Sequence, residues 1–151
     1  MNRKLLLILI CAVLPLVGRA ADVDFDRIAD LDGVTEVYIS KAMLSQMPDI
    51  ETEGVDISSL ASNLDYVRIL TAETGKAVEA ARKAAAAFKS DGYEEYMRIK
   101  DGSEKVLMYM KERKNGKSDF VMTVDEKTSY TLIVISGKFT AKDLKDLTKS
   151  E

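Results

Sequence analysis

The chain has 151 residues, with 22 basic and 25 acidic side chains, no histidine, no tryptophan and a single cysteine. Past Cys11 there is neither histidine nor cysteine, which excludes Ser-His-Asp and Cys-His nucleophiles, zinc sites built on those residues, and the usual haem and iron–sulfur ligands. A net charge of −3 with no basic run makes a poor match to nucleic acid or an anionic lipid surface.

The chain opens on Arg3 and Lys4, followed by an apolar run from Leu5 to Val17. Gly18 and Ala20 then set small residues at −3 and −1 of a cut between Ala20 and Ala21. This order predicts a secretory signal peptide over 1–20. The apolar run is shorter than the ~20 residues that span a bilayer, and Pro15 interrupts it. The expected product is a single domain over 21–151, periplasmic or secreted, with no transmembrane segment. The alternative is a lipoprotein anchored through Cys11. Ile10 stands before Cys11 where lipoprotein processing takes a small residue. A domain of this size buries enough surface to fold without disulfides, and none is available after cleavage.

Phe25, Ile28 and Leu31 recur at helical spacing and Gly33 follows, which predicts a short helix over 23–31. Thr35, Val37 and Ile39 alternate with polar neighbours as a strand does, and Ser40 can cap a short helix that stops at Pro48. Residues 49–56 form an acidic loop. Asp49, Glu51, Glu53-Gly54 and Asp56 resemble the start of a calcium loop, but Leu60 occupies the place of its bidentate acid, so a solvated loop is the expectation. Ile57, Leu60 and Leu64 suggest a helical turn or two, and Tyr66 to Thr71 reads as a second strand.

Thr74 can cap a long helix over 75–89, with Val78, Ala81, Ala85 and Phe88 on one stripe and Glu79 facing Lys83. Gly75-Lys76 at its start lacks the earlier glycine and the following hydroxyl of a phosphate loop, so it reads as an ordinary helix start. Four strand-like runs follow, over 93–100, 105–112, 119–126 and 130–137. Asp101-Gly102 and Asn115-Gly116 separate the first three as two-residue hairpin turns. Thr140 to Asp143 has the form of a capping box before a last helix. The expected fold class is α+β: a single mixed, mainly antiparallel sheet of about six strands, with a C-terminal four-stranded meander, packed with helices.

Two-residue turns would fix the register. Tyr93, Met97, Ile99, Val106, Met108, Met110 and Val121 would share one face, the main core. Tyr96, Arg98, Leu107, Tyr109, Lys111, Phe120, Met122 and Val124 would share the other. On that second face Tyr96, Arg98, Tyr109 and Lys111 form a candidate binding surface for a sugar, peptide or acidic group. Helices covering both sides of the sheet are the plainer expectation. No catalytic residues, metal ligands or cofactors are expected.

The run Asp32-Gly-Val-Thr-Glu-Val-Tyr-Ile-Ser-Lys-Ala-Met43 resembles the opening of the exported bacterial domain-of-unknown-function family 4252. So do Met47-Pro48, Ile69-Leu70 with Glu73, Tyr93 to Asp101, and Leu132 to Gly137, in the family's order. The resemblance implies a signal peptide and one domain in a Gram-negative envelope. It also implies a link to envelope response, through neighbouring genes for extracytoplasmic-function sigma factors. It brings no catalytic residue. The functional expectation is a non-enzymatic envelope protein that binds another envelope protein or a small ligand, and not nucleic acid. The alternatives are a carboxylate-dependent hydrolase of envelope or dietary glycans, and a small-ligand or calcium carrier.

Overall fold

The computed structural model describes residues 24–47, 51–52, 55–56 and 60–147. Cys11, Ala20, Ala21 and half of the acidic loop lie outside the described residues.

Helix α1, Phe25–Ala29, is capped by Asp24, whose carboxylate accepts from the Arg27 amide at 3.0 Å. Gly33, at φ +83, turns the chain into strand β1, Val34–Ser40. The Ser40 hydroxyl caps α2, Lys41–Leu44, as its position predicts. Strands β2, Glu51–Thr52, and β3, Val55–Asp56, pair with each other outside the main sheet. A 3-10 turn, Ala61–Asn63, leads into β4, Leu64–Ala72. Thr74 caps α3, Gly75–Ala85, which ends sooner than its apolar stripe suggests; irregular turns carry Phe88 back under the helix. Strands β5, Glu94–Asp101, β6, Glu104–Glu112, β7, Ser118–Asp125, and β8, Tyr130–Gly137, form the predicted meander. Helix α4, Ala141–Leu147, closes the described chain behind the Thr140–Asp143 capping box.

The α+β architecture is the expected one. Six strands form one sheet in the order β1-β4-β8-β7-β6-β5, and all five pairings are antiparallel. Helix α3 carries the chain from β4 across one face to β5 at the far edge, and the meander then returns until β8 pairs with β4. On this helix-side face Leu70, Leu132, Val134 and Val121 pack under Ala77, Val78 and Ala81. Fully buried Phe88 meets Tyr93 at 5.0 Å and Tyr109 at 5.4 Å between ring centres. On the opposite face Val67, Ile133, Ile135 and Met110 are covered by Leu44, Leu60, Ala61 and Phe139. That cover comes from α2, the 3-10 turn and the approach to α4, and it sits over one end of the sheet.

The predicted faces need a correction on β7. The β5–β6 turn uses Gly102-Ser103, and Asp101 pairs with Glu104, so Met97, Ile99, Val106 and Met108 do share a face. The β6–β7 connection is not a two-residue turn. Glu112 pairs with Ser118, and the Arg113 amide donates to the Lys117 carbonyl at 2.7 Å across a five-residue loop. Lys114 enters this loop in a 3-10 turn ahead of Asn115 and Gly116, both at positive φ. An odd loop length in place of an even one slips β7 by one residue, and one residue exchanges the faces. Val121 therefore lies beside Tyr109, while Phe120, Met122 and Val124 lie beside Met110, Met108 and Val106.

A second departure is a bulge between Glu95 and Met97. Tyr96 is the extra residue, so Glu95 takes the place opposite Tyr109. Tyr93 belongs to the helix-side core and not with Met97.

Candidate functional site

Register lays the helix-side face out in rows. Tyr66, Ser136, Asp119 and Lys111 form one row, and Arg68, Val134, Val121, Tyr109 and Glu95 the next. Leu70, Leu132, Thr123, Leu107 and Arg98 follow, then Ala72, Tyr130, Asp125, Lys105 and Lys100.

Three of the four residues singled out from the sequence, Arg98, Tyr109 and Lys111, stand on this face in successive rows. Their surroundings differ. Tyr109 is buried beneath Phe88, and burial pushes its phenol above the ordinary tyrosine range. Arg98 holds both carboxylate oxygens of Glu95 at 2.8 Å. Lys111 donates to Asp91 at 3.1 Å and lies over the Tyr93 ring, 5.4 Å from its centre. Tyr96 stands apart at the bulge of the edge strand, 52% exposed.

The sequence reading missed the polar row. Asp119 and Ser136 are buried in mid-sheet. Asp119 Oδ1 lies 2.8 Å from an Arg113 guanidinium nitrogen without a formed hydrogen bond, and the same nitrogen donates to Ser136 Oγ at 2.6 Å. Lys117 holds Asp65 at 2.8 Å and keeps its carboxyl below the usual range. Asp119, Val121, Thr123 and Asp125 alternate in the sequence, but only the true register puts them under the helix.

Toward the other end of the same face, α3 stands off the sheet over a cavity of about 230 Å³. Arg82, Ala85, Ala86, Lys105, Leu107, Tyr109, Thr123, Asp125 and Tyr130 line it. Arg82 is tied down by Asp125 at 2.7 Å and by the Glu126 carbonyl at 2.9 Å. Burial pushes the Tyr130 phenol up to about 12, and raises Tyr66 and Tyr93 as well. A folded pKa above the unfolded one adds stability below pH ~10 that is lost as pH rises through the folded value. Stability should therefore hold up to about pH 10 and fall between roughly pH 10 and 12. Absorbance titration of the tyrosines beside an alkaline unfolding curve checks this. The expected trace shows Tyr66, Tyr93, Tyr109 and Tyr130 ionising together with unfolding.

The opposite face is half open. Val37, Ile69, Ile133, Met122, Met108 and Met97 form a row across all six strands. Thr35, Thr71, Thr131, Val124, Val106 and Ile99 form the next. The first row runs along the edge of that cover, with Ile133 buried and Ile69 and Met122 packed against the covered cluster, and it opens at its two ends; no residue of the second row belongs to that cluster. Val37, Met97 and Ile99 are each about half exposed, at 48%, 49% and 48%. Glu94, Asp101 and Glu104 border these rows on the same face, and none has a salt-bridge partner among the described residues. The result is a methionine-rich apolar surface with an acidic rim.

Among the described residues, no group of three Cys, Asp or Glu side chains is placed to hold a metal ion. No described helix is long and apolar enough to cross a membrane. No curated protein and no solved structure matches the chain. One family profile does, that of Domain of unknown function (DUF4252), over residues 26–147. That span runs from α1 to the last residue of α4, so the whole sheet just described is the family's unit, and the chain is a member of the DUF4252 family.

Proposed function

We propose that this chain is an exported, non-enzymatic binding protein of the cell envelope that captures a partner protein on the open face of its sheet. The observation that carries this reading is the exposed apolar pair Met97 and Ile99, with half-buried Val106 and Met108 beside them on β6. An exposed apolar patch of this kind, rimmed by charge, is the usual mark of an interaction site. Methionine side chains repack around varied shapes, which suits a docking surface. The acidic rim selects the occupant: a segment with an apolar stripe flanked by Lys and Arg. Export rests on the signal peptide read over 1–20. The carboxylates Asp91, Asp119, Asp125 and Glu95 on the other face each hold a cation, which favours binding over carboxylate-driven glycan hydrolysis.

The test is fluorescence anisotropy with a labelled Leu/Lys amphipathic helical peptide, against a Leu/Glu peptide of the same apolar stripe. The Leu/Lys peptide should bind, and Met97→Lys with Ile99→Lys should weaken it by about tenfold or more. Equal binding of the two peptides, or no effect of the double substitution, contradicts the proposal. Self-association abolished by the same substitutions would assign the face to a second copy instead.

A further inference from the structure

We propose that the cavity between α3 and strands β6 and β7 is a binding site for a small organic carboxylate, held by Lys105 with Tyr109 and placed on the face opposite the protein-docking surface. Three observations converge on it. The first is a charge left over. Arg68, Arg98 and Lys111 on this face each hold a carboxylate. Lys105 and Lys100 hold none among the described residues, yet they stand directly opposite each other across β5 and β6. Like charges in that position repel, and an anion between or beside them relieves the repulsion.

The second is the balance of the lining. Asp125 stands opposite Lys105 across β6 and β7 but is held by Arg82 at 2.7 Å, so Lys105 is the cation of the cavity wall that makes no salt bridge among the described residues. The third is a spare donor. The Tyr109 hydroxyl has no hydrogen-bond partner among the described residues, and a neutral phenol can donate to a carboxylate. Ala85, Ala86 and Leu107 supply the apolar part of the wall.

Size limits the ligand. The cavity, about 230 Å³, falls below the ~300–1,000 Å³ of sites for drug-sized molecules. An acid of about ten non-hydrogen atoms or fewer fits, with its carboxylate at Lys105 and a short branched or cyclic body against the alanines.

The experiment is a titration of the full domain with 4-methylpentanoate, with its uncharged amide and with sodium chloride of equal ionic strength as controls. Backbone amide NMR and thermal unfolding are the readouts. The carboxylate should raise the melting temperature in a saturable way and shift amides of α3, β6 and β7. Lys105→Gln should weaken binding by about tenfold and Tyr109→Phe by about fivefold, with Lys100→Gln between wild type and Lys105→Gln. Equal response to acid and amide, a response matched by chloride, or full binding by a folded Lys105→Gln variant would overturn the proposal. Because Met97→Lys lies on the other face, it should leave this binding unchanged; the two sites fail separately.

Discussion

Phe88→Ala should cost about 3–5 kcal/mol and lower the melting temperature by roughly 10–20 °C. The side chain is fully buried, and the rings of Phe25, Tyr93 and Tyr109 surround it, at 6.1, 5.0 and 5.4 Å. Deleting it removes the apolar burial of a large side chain and leaves a cavity bounded by three rings that belong to three different segments. They cannot all close in together, so the cavity term stays near its upper range. Phe88 also ties the turn after α3 to the sheet: the Tyr93 amide donates to the Phe88 carbonyl at 3.0 Å, where the chain enters β5. Urea unfolding at neutral pH checks the value. A cost below about 1 kcal/mol would mean that this aromatic cluster does not anchor the helix layer.

Gly137→Ala should cost about 2–3 kcal/mol although it adds a single methyl group. A Cβ built at this position falls 2.5 Å from the Asn63 carbonyl oxygen and 2.6 Å from the Leu64 Cα. Both are backbone atoms, so no side chain can swing aside. The Lys138 amide donates to that same Asn63 carbonyl at 2.9 Å, and Gly137 pairs with Leu64 on one side and Ser118 on the other. Moving the backbone to admit the methyl would break this junction of β4, β7 and β8. It would also shift the 3-10 turn that covers the closed end of the apolar face. Gly137→Val should be worse still. Chemical unfolding of both variants beside Gly102→Ala, where a Cβ meets nothing within 4 Å, separates crowding from the cost of positive φ. A Gly137→Ala variant as stable as wild type would contradict the close approach.

Much of the frame was legible in the sequence because short-range chemistry writes it. Ser40, Thr74 and the Thr140–Asp143 pair each cap the helix they announce, and alternation marks all four strands of the meander. The long crossing of α3 from β4 to the far edge was not legible, since nothing local says which strand an edge will meet. The register of β7 failed on one residue of loop length. Asn115-Gly116 does supply two residues at positive φ, but Lys114 joins the turn, and parity decides every face downstream.

The candidate surface was only partly visible because helix cover, and not register, decides it. Arg98, Tyr109 and Lys111 do share a face, yet that face is the one α3 covers. The open surface lies on the side that the sequence reading assigned to the main core. Met97, Ile99 and Met108 looked like interior residues by alternation alone, because exposure depends on where α2 and α4 stop along the sheet. The acidic rim of Glu94, Asp101 and Glu104 gains meaning only once it borders that uncovered surface.

The most direct measurement is a methyl NMR spectrum of the domain labelled at methionine, recorded with and without the Leu/Lys peptide. Met97, Met108 and the half-buried Met122 share a row that opens toward β5, while Met110 is buried in the covered end of the same face. Docking on the open sheet predicts that the first three methyl signals shift together with a common affinity and that Met110 moves least. Shifts confined to other methionines, or none at a peptide concentration that saturates anisotropy, would contradict it.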